Sequence, residues 1–287
     1  MIAKLFFVDV FCDGLFSGER AAVAILRGWG QEVYLQALAE EMALPLMVYV
    51  LPEQGTFIAR YFSPSRELDN AGYGPLAAAH IIYSAGLAPP RLPLALQGRD
   101  GERKISFHES GSLQLTLPPQ AADGAPDESL RLNDALGLPP AEIYFAVPAG
   151  PTHFVAALKN PNSLKSIVSS QAYAAVSAIA PGKRLALSAP LADGMSPGYA
   201  IRFFSPAGEQ PARLFDIDIH TILAPFWSSK LSLGTMSVHH QGRRSALLEA
   251  ETGPDGAVKI SGRVSTIFRA DPVVSELTSD SPMDMFF

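Results

Sequence analysis

Two short stretches carry the residues that could move a proton. One is Asp216-Ile217-Asp218-Ile219-His220, two carboxylates and an imidazole at alternate positions, with Arg213 and Phe215 just ahead of them. The other is Gly72-Tyr73-Gly74-Pro75, a tyrosine held between glycines. An aspartate takes a proton once burial raises its pKa, and a tyrosine donates a hydrogen bond to a carbonyl, so Tyr73 with Asp218 forms the strongest candidate acid and base pair. Arg213 could hold a substrate carboxylate or could pair with Asp216 or Glu209. Asp216 and Asp218 could equally act as caps on a helix N-terminus, with no catalytic part. His220 falls on the apolar side of its segment and reads as a core histidine, and His80 more so. His239 and His240, adjacent on a strand, point to opposite faces, which argues against a shared metal, and no metal site is expected.

Both stretches follow a repeated signature. Tyr61-Phe62-Ser63-Pro64 leads into the first and Phe203-Phe204-Ser205-Pro206 into the second, about half a chain apart. Each then opens a helix, one over 76–84 with Pro75 at its first turn, the other over 219–231 with apolar residues along one face. The chain therefore reads as two similar halves, each presenting a helix N-terminus, and two such mouths facing one another would make a cleft. Backbone N–H groups at Gly72, Tyr73 and Gly74 could hold an anion, or the glycines could merely make the turn. Around the first helix the pattern predicts strands at 5–11, 21–26, 46–51 and 57–62, a helix at 31–42, and a hairpin over 105–117 turning at Ser110-Gly111. In the second half it predicts helices at 129–136 and 171–180. The strands expected there are 143–147, 153–158, 184–188, 198–204, 235–239, 246–251, 257–260 and 264–268. The polar, breaker-rich run 118–127 is the best linker. The expected division is 1–118, a linker at 119–127, a second half at 128–270 and an acidic tail at 271–287.

Composition narrows the function. With 287 residues, 48% of them apolar, the chain can bury a large core, and its length favours two domains. A formal charge of −6 with scattered Lys and Arg gives no basic stripe, so neither nucleic acid nor an anionic membrane is an expected partner. The single cysteine, Cys12, excludes an internal disulfide and a multi-cysteine metal site and fits a reducing, cytoplasmic setting. The N-terminus lacks the layout of a signal peptide and reads as a first strand.

Val8-Asp9-Val10-Phe11, the 16–20 loop, Leu38-Ala39-Glu40-Glu41-Met42, Ala77-Ala78-Ala79-His80, Arg202-Phe203-Phe204-Ser205-Pro206-Ala207, Leu223-Ala224-Pro225-Phe226-Trp227 and Gln241-Gly242 resemble, in order, landmarks of the phenazine-biosynthesis PhzF-like family. The resemblance spans about residues 1 to 265. It implies an α+β protein of the diaminopimelate epimerase-like fold, with two similar domains, each a mixed, mostly antiparallel sheet wrapped around a central helix, with an interdomain cleft, commonly as a homodimer. It also implies proton transfer without metal or cofactor by a glutamate, a histidine, an aspartate and a serine. This chain departs at all four positions, which are Leu46, Tyr73, Arg213 and Asp218. In the entry loop the family's Gly-Asn-Pro becomes Gly18-Glu19-Arg20.

Leucine cannot accept a proton, so the family's usual isomerisation should be absent if it needs that carboxylate. Diaminopimelate epimerase chemistry needs two opposed thiols and is excluded by the lone Cys12. Several departures add apolar surface: Leu46, Met47, Leu214, Phe215 and Ile217 would line a pocket for a hydrophobic ligand with Tyr73, Arg213 and Asp218 as polar anchors and Glu19, Arg20, Gly72, Gly74 and Asp216 as further expected substrate-binding residues. The expected activity is a cofactor-free isomerisation or cyclisation of a hydrophobic small molecule in specialised metabolism. The alternatives are a non-catalytic binding or scaffold protein, its cleft filled by its own side chains, and a residual dihydro-hydroxyanthranilate-type isomerase working through Asp216 or Asp218.

Overall fold

The computed structural model describes residues 2–69, 72–89, 92–99, 101–108, 110–119, 127–192, 194–205, 216–242 and 244–271. In chain order the elements are β1 (Ile2–Val10), β2 (Glu19–Leu26), α1 (Glu32–Met42), β3 (Leu46–Glu53), β4 (Thr56–Ser63), β5 (Arg66–Glu67), α2 (Gly74–Ser84), β6 (Leu94–Gly98), β7 (Gly101–Phe107) and β8 (Leu113–Leu117). There follow α3 (Ser129–Ala135), β9 (Ile143–Ala149), β10 (His153–Leu158), α4 (Pro161–Ser166), α5 (Ser169–Ile179), β11 (Arg184–Pro190) and β12 (Gly198–Phe204). The chain then makes a single 3-10 turn (Ile217–Ile219) and continues through α6 (His220–Leu231), β13 (Thr235–His240), β14 (Ala246–Thr252), β15 (Val258–Gly262) and β16 (Val264–Ala270). Among the described residues no helix is long and apolar enough to cross a membrane.

The chain divides into two compact units that interleave in sequence. The first comprises residues 1–10, 20–106 and the C-terminal segment from 264; the second comprises 11–19 and 107–263. This differs from the division at 119–127, which falls inside the second unit. Strand pairing is the reason: β16 pairs antiparallel with β1, returning the C-terminal segment to the first unit, while β8 pairs antiparallel with β15 in the second.

The first unit is a mixed sheet in the order β16-β1-β2-β3-β4-β6-β7. Its two parallel contacts, β2 with β3 and β4 with β6, are each bridged by a helix, α1 and α2 respectively. The alternation of β3 assigns its side chains to two faces. Met47, Tyr49 and Leu51 join Leu35 and Ala39 of α1 in one core cluster, whereas Leu46 lies against Gly74 at the start of α2. Helix α2 packs on β1, β3, β4 and β16, and its residues from Gly74 to Ala79 are all buried. An apolar helix with no polar face is the kind that ends up inside a sheet.

The second unit repeats this plan in the order β8-β15-β14-β13-β12-β11-β10-β9. Its parallel contacts are β10 with β11, crossed over by α4 and α5, and β12 with β13, crossed over by α6. One sheet face packs Phe154, Ala156, Leu185, Leu187 and Phe204 against Leu132 of α3 and Val176 of α5. The other face carries His153, Ser188, Tyr199, Phe203 and His240, and α6 packs against β12 to β15. The sheet wrapped round a central helix is thus present in each unit. Three short elements stand where none was read from the pattern: β5, β6 and α4, the last capped by Asn160, whose side chain accepts the Asn162 N–H at 2.8 Å.

Candidate functional site

At the start of α2, Gly72 takes a positive φ of 50°, turning the chain into Tyr73, and Pro75 fills the first helical turn, where its missing N–H is not needed. Gly74 has no room for a side chain: a Cβ there would stand 2.5 Å from the Tyr61 ring and 3.4 Å from Leu46. Tyr73 is 0% exposed, and its hydroxyl donates to the Arg20 carbonyl oxygen at 2.8 Å. Leu46 is also 0% exposed. The structure therefore brings Leu46, Gly72, Tyr73, Gly74 and the Arg20 backbone together, and places Met47 in the core on the opposite face of β3. Glu19 is half-buried and Arg20 exposed at the start of β2. The proton of Tyr73 is already directed at a carbonyl.

The start of α6 is richer. Arg213 and Phe215 lie outside the described residues. Asp216 caps the 3-10 turn, its Oδ1 accepting the Asp218 N–H at 3.0 Å, and its Oδ2 stands 3.2 Å from His153 Nδ1. Ile217 and Ile219 point into the core, which leaves Asp216 and Asp218 partly exposed on the other side of the turn. Burial pushes the Asp216 carboxyl pKa upward, but the His153 hydrogen bond and charge, the Asp218 N–H and the His220 ring together hold it below the ordinary carboxylate value. Asp216 thus has the capping role the sequence allowed.

Below the turn lies a chain of buried polar groups. The Tyr199 hydroxyl is 2.6 Å from His220 Nδ1, and His220 Nε2 is 3.1 Å from His240 Nε2. Burial pushes the Tyr199 pKa well up and that of His220 down to about 3. Burial, then the neighbouring His220 and His239, holds His240 well below 6.5. Tyr199 therefore donates to a neutral His220, whose Nε2–H donates to His240. Tyr199 stacks on Trp227, with ring centroids 6.1 Å apart and planes at 18°, and Trp227 Nε1 donates to Ser188 Oγ at 3.1 Å. Phe203 touches both ends of the assembly, with ring centroids 6.0 Å from His153 and 5.4 Å from His240. His80, in the first unit, makes a 2.9 Å contact with Thr266.

His153, Tyr199 and His240 were not singled out by sequence as parts of one site. The available signal was parity: once β10 to β13 are in register, these residues share a face with Ser188, and that face carries unusually many polar groups for one so buried. Among the described residues no three His, Cys, Asp or Glu side chains converge as metal ligands.

Two interleaved α+β units, each with a helix inside its sheet, make up the fold. Solved structures share it: a phenazine biosynthesis PhzC/PhzF protein from Clostridium difficile matches with TM-score 0.78 and 21% identity, covering 93% of this chain and 98% of that one. A PhzF-family protein from Enterococcus faecalis matches with TM-score 0.77 and 23% identity, covering 95% and 99%. The chain belongs to the family of phenazine biosynthesis-like proteins, whose pattern it matches over residues 8–269. It is also 30% identical over 276 residues to a protein of Pseudomonas aeruginosa named as an uncharacterized isomerase, covering 92% of this chain and 96% of that one.

Proposed function

We propose that this chain is a cofactor-independent isomerase, or a cyclase driven by the same proton transfer, acting on a hydrophobic small molecule, with Asp218 as the proton-transferring carboxylate. The observation that carries the reading is the Asp216 turn. It fixes the Asp218 backbone at a helix start between the buried Ile217 and Ile219, which positions the carboxylate. Family membership and the isomerase name of the relative support the reaction class. Leu46 supports a shift of the chemistry away from α2, because a buried leucine offers no proton acceptor there. Tyr73 enters as a group that shapes the α2 start, its hydroxyl proton engaged by Arg20.

The test is solvent deuterium incorporation. The full chain is incubated in D2O with a panel of hydrophobic enolisable ketones and followed by NMR, with Asp218→Asn in parallel. The reading expects incorporation above the uncatalysed rate, lowered roughly 100-fold or more in the variant. A second reading, a non-catalytic binding protein, is favoured by the complete burial of Tyr73 and Leu46 at the α2 start; it expects no incorporation with any panel member.

A further inference from the structure

One ring in the second unit is placed for chemistry and left unfinished. His153 is 2% exposed, its Nδ1 lies 3.2 Å from Asp216 Oδ2 and 2.9 Å from Thr152 Oγ1, and its Nε2 is buried with no hydrogen-bond partner. A carboxylate offers only lone pairs, so the Asp216 contact favours the proton on Nδ1 over the alternative in which Nδ1 accepts from the Thr152 hydroxyl. With the proton on Nδ1, the neutral ring presents Nε2 as a bare lone pair beside the Phe203 ring. Leaving such an acceptor unmade costs about 1–3 kcal/mol. A histidine kept only for packing would put a proton where a partner could take it.

We infer that His153 Nε2 is the second proton-transfer atom of the α6 site and receives the hydroxyl of an enol- or phenol-type ligand, with Asp216 as the positioning residue that fixes its tautomer. The inference rests on the isomerase reading above and supplies the partner that Asp218 needs. Asp216 ties the two together: one oxygen holds the Asp218 backbone, the other holds His153. In the enol-to-ketone direction the ligand O–H bond breaks and its proton goes to Nε2. The O–H electrons become the carbonyl double bond, and the C=C electrons take the proton of the Asp218 carboxylic acid to form the new C–H bond. The reverse direction returns each proton by the same path. No electron leaves the ligand, so no oxidant or reductant is needed. The Asp216 carboxylate stabilises the imidazolium formed on the way, as in other carboxylate–histidine pairs.

The experiment uses the full chain with 15N-labelled histidine and long-range 1H–15N correlation, His153 being assigned by its loss in His153→Gln. The expected result is the Nδ1–H tautomer near neutral pH, an Nε2 resonance that moves saturably with added phenol while that of His80 does not, and redistribution toward Nε2–H in Asp216→Asn. An Nε2–H tautomer in the unaltered chain, or an Nε2 resonance unmoved by phenol up to its solubility limit, would overturn the assignment. The tautomer and phenol response are measured in the unaltered chain, and His153→Gln serves only to assign the resonance. They are also independent of the deuterium assay, whose failure would end the isomerase reading by a different signal.

Discussion

The Tyr199 hydroxyl and His220 Nδ1 stand 2.6 Å apart in the interior of the second unit, the tyrosine donating and the imidazole accepting. Neither group reaches water. The bond ties β12 to the first residue of α6. Removing one partner from such a pair leaves the other buried and unmatched, which costs more than the bond's net worth. Tyr199→Phe should lower stability by about 1–3 kcal/mol in urea unfolding. A loss too small to measure would show that His220 finds another donor.

The same burial makes stability depend on pH. His220 in the folded chain has its pKa pushed down to about 3, against 6.5 for the unexcluded ring. Below 6.5 the unfolded chain binds a proton that the folded chain refuses, so this histidine contributes stability above 6.5 that is lost as pH falls toward 3. His240, also lowered by burial, acts in the same direction. The urea midpoint should therefore fall steadily on acidification from neutral pH, well before carboxylates such as Asp216, whose pKa lies below 3.8, begin to protonate. A flat profile over that interval would mean that the rings are charged or exposed in the folded state.

Leu46 occupies the position where the family resemblance expects a catalytic glutamate, and it is enclosed between β3 and α2. Leu46→Glu would place a carboxyl there against the Tyr61 and Gly74 packing. Burial would raise its pKa, so the folded chain would hold a proton that the unfolded chain releases, and the penalty should be larger at neutral than at acidic pH. The expected cost near neutrality is about 3 kcal/mol or more. A thermal unfolding series across pH reads it directly, and a variant as stable as the parent would show that water reaches this position.

Gly198 begins β12 beside Ser237 of β13, and a Cβ on it would lie 1.8 Å from the Ser237 carbonyl oxygen. Backbone cannot yield as the tip of a side chain can. Gly198→Ala should cost about 3 kcal/mol or more and lower the yield of folded protein. Parent-like stability in that variant would mean that β12 and β13 are spaced more widely.

What the sequence made legible was periodic and local. The Ala-rich run of α2, the Phe-Ser-Pro signatures and the alternation of the long strands pointed to two like halves, each built on a helix, and the structure bears this out. The short β6, Leu94–Gly98, was lost among prolines because five residues carry too little pattern to be separated from a loop. The pairing of β16 with β1 brings 264–270 beside 5–10, and no local composition marks such a contact. At the candidate site, Asp216 and Asp218 could be found because they adjoin a helix start. His153 could not, because its relation to Asp216 exists only once β10 is set beside the start of α6.

Proton transfer by Asp218 is read from deuterium incorporation into a hydrophobic enolisable ketone in D2O by the full chain and by Asp218→Asn at matched folding. Incorporation above background is expected with the parent chain, and a fall of about 100-fold or more in the variant. Equal incorporation by the two proteins, or none by either, would contradict it.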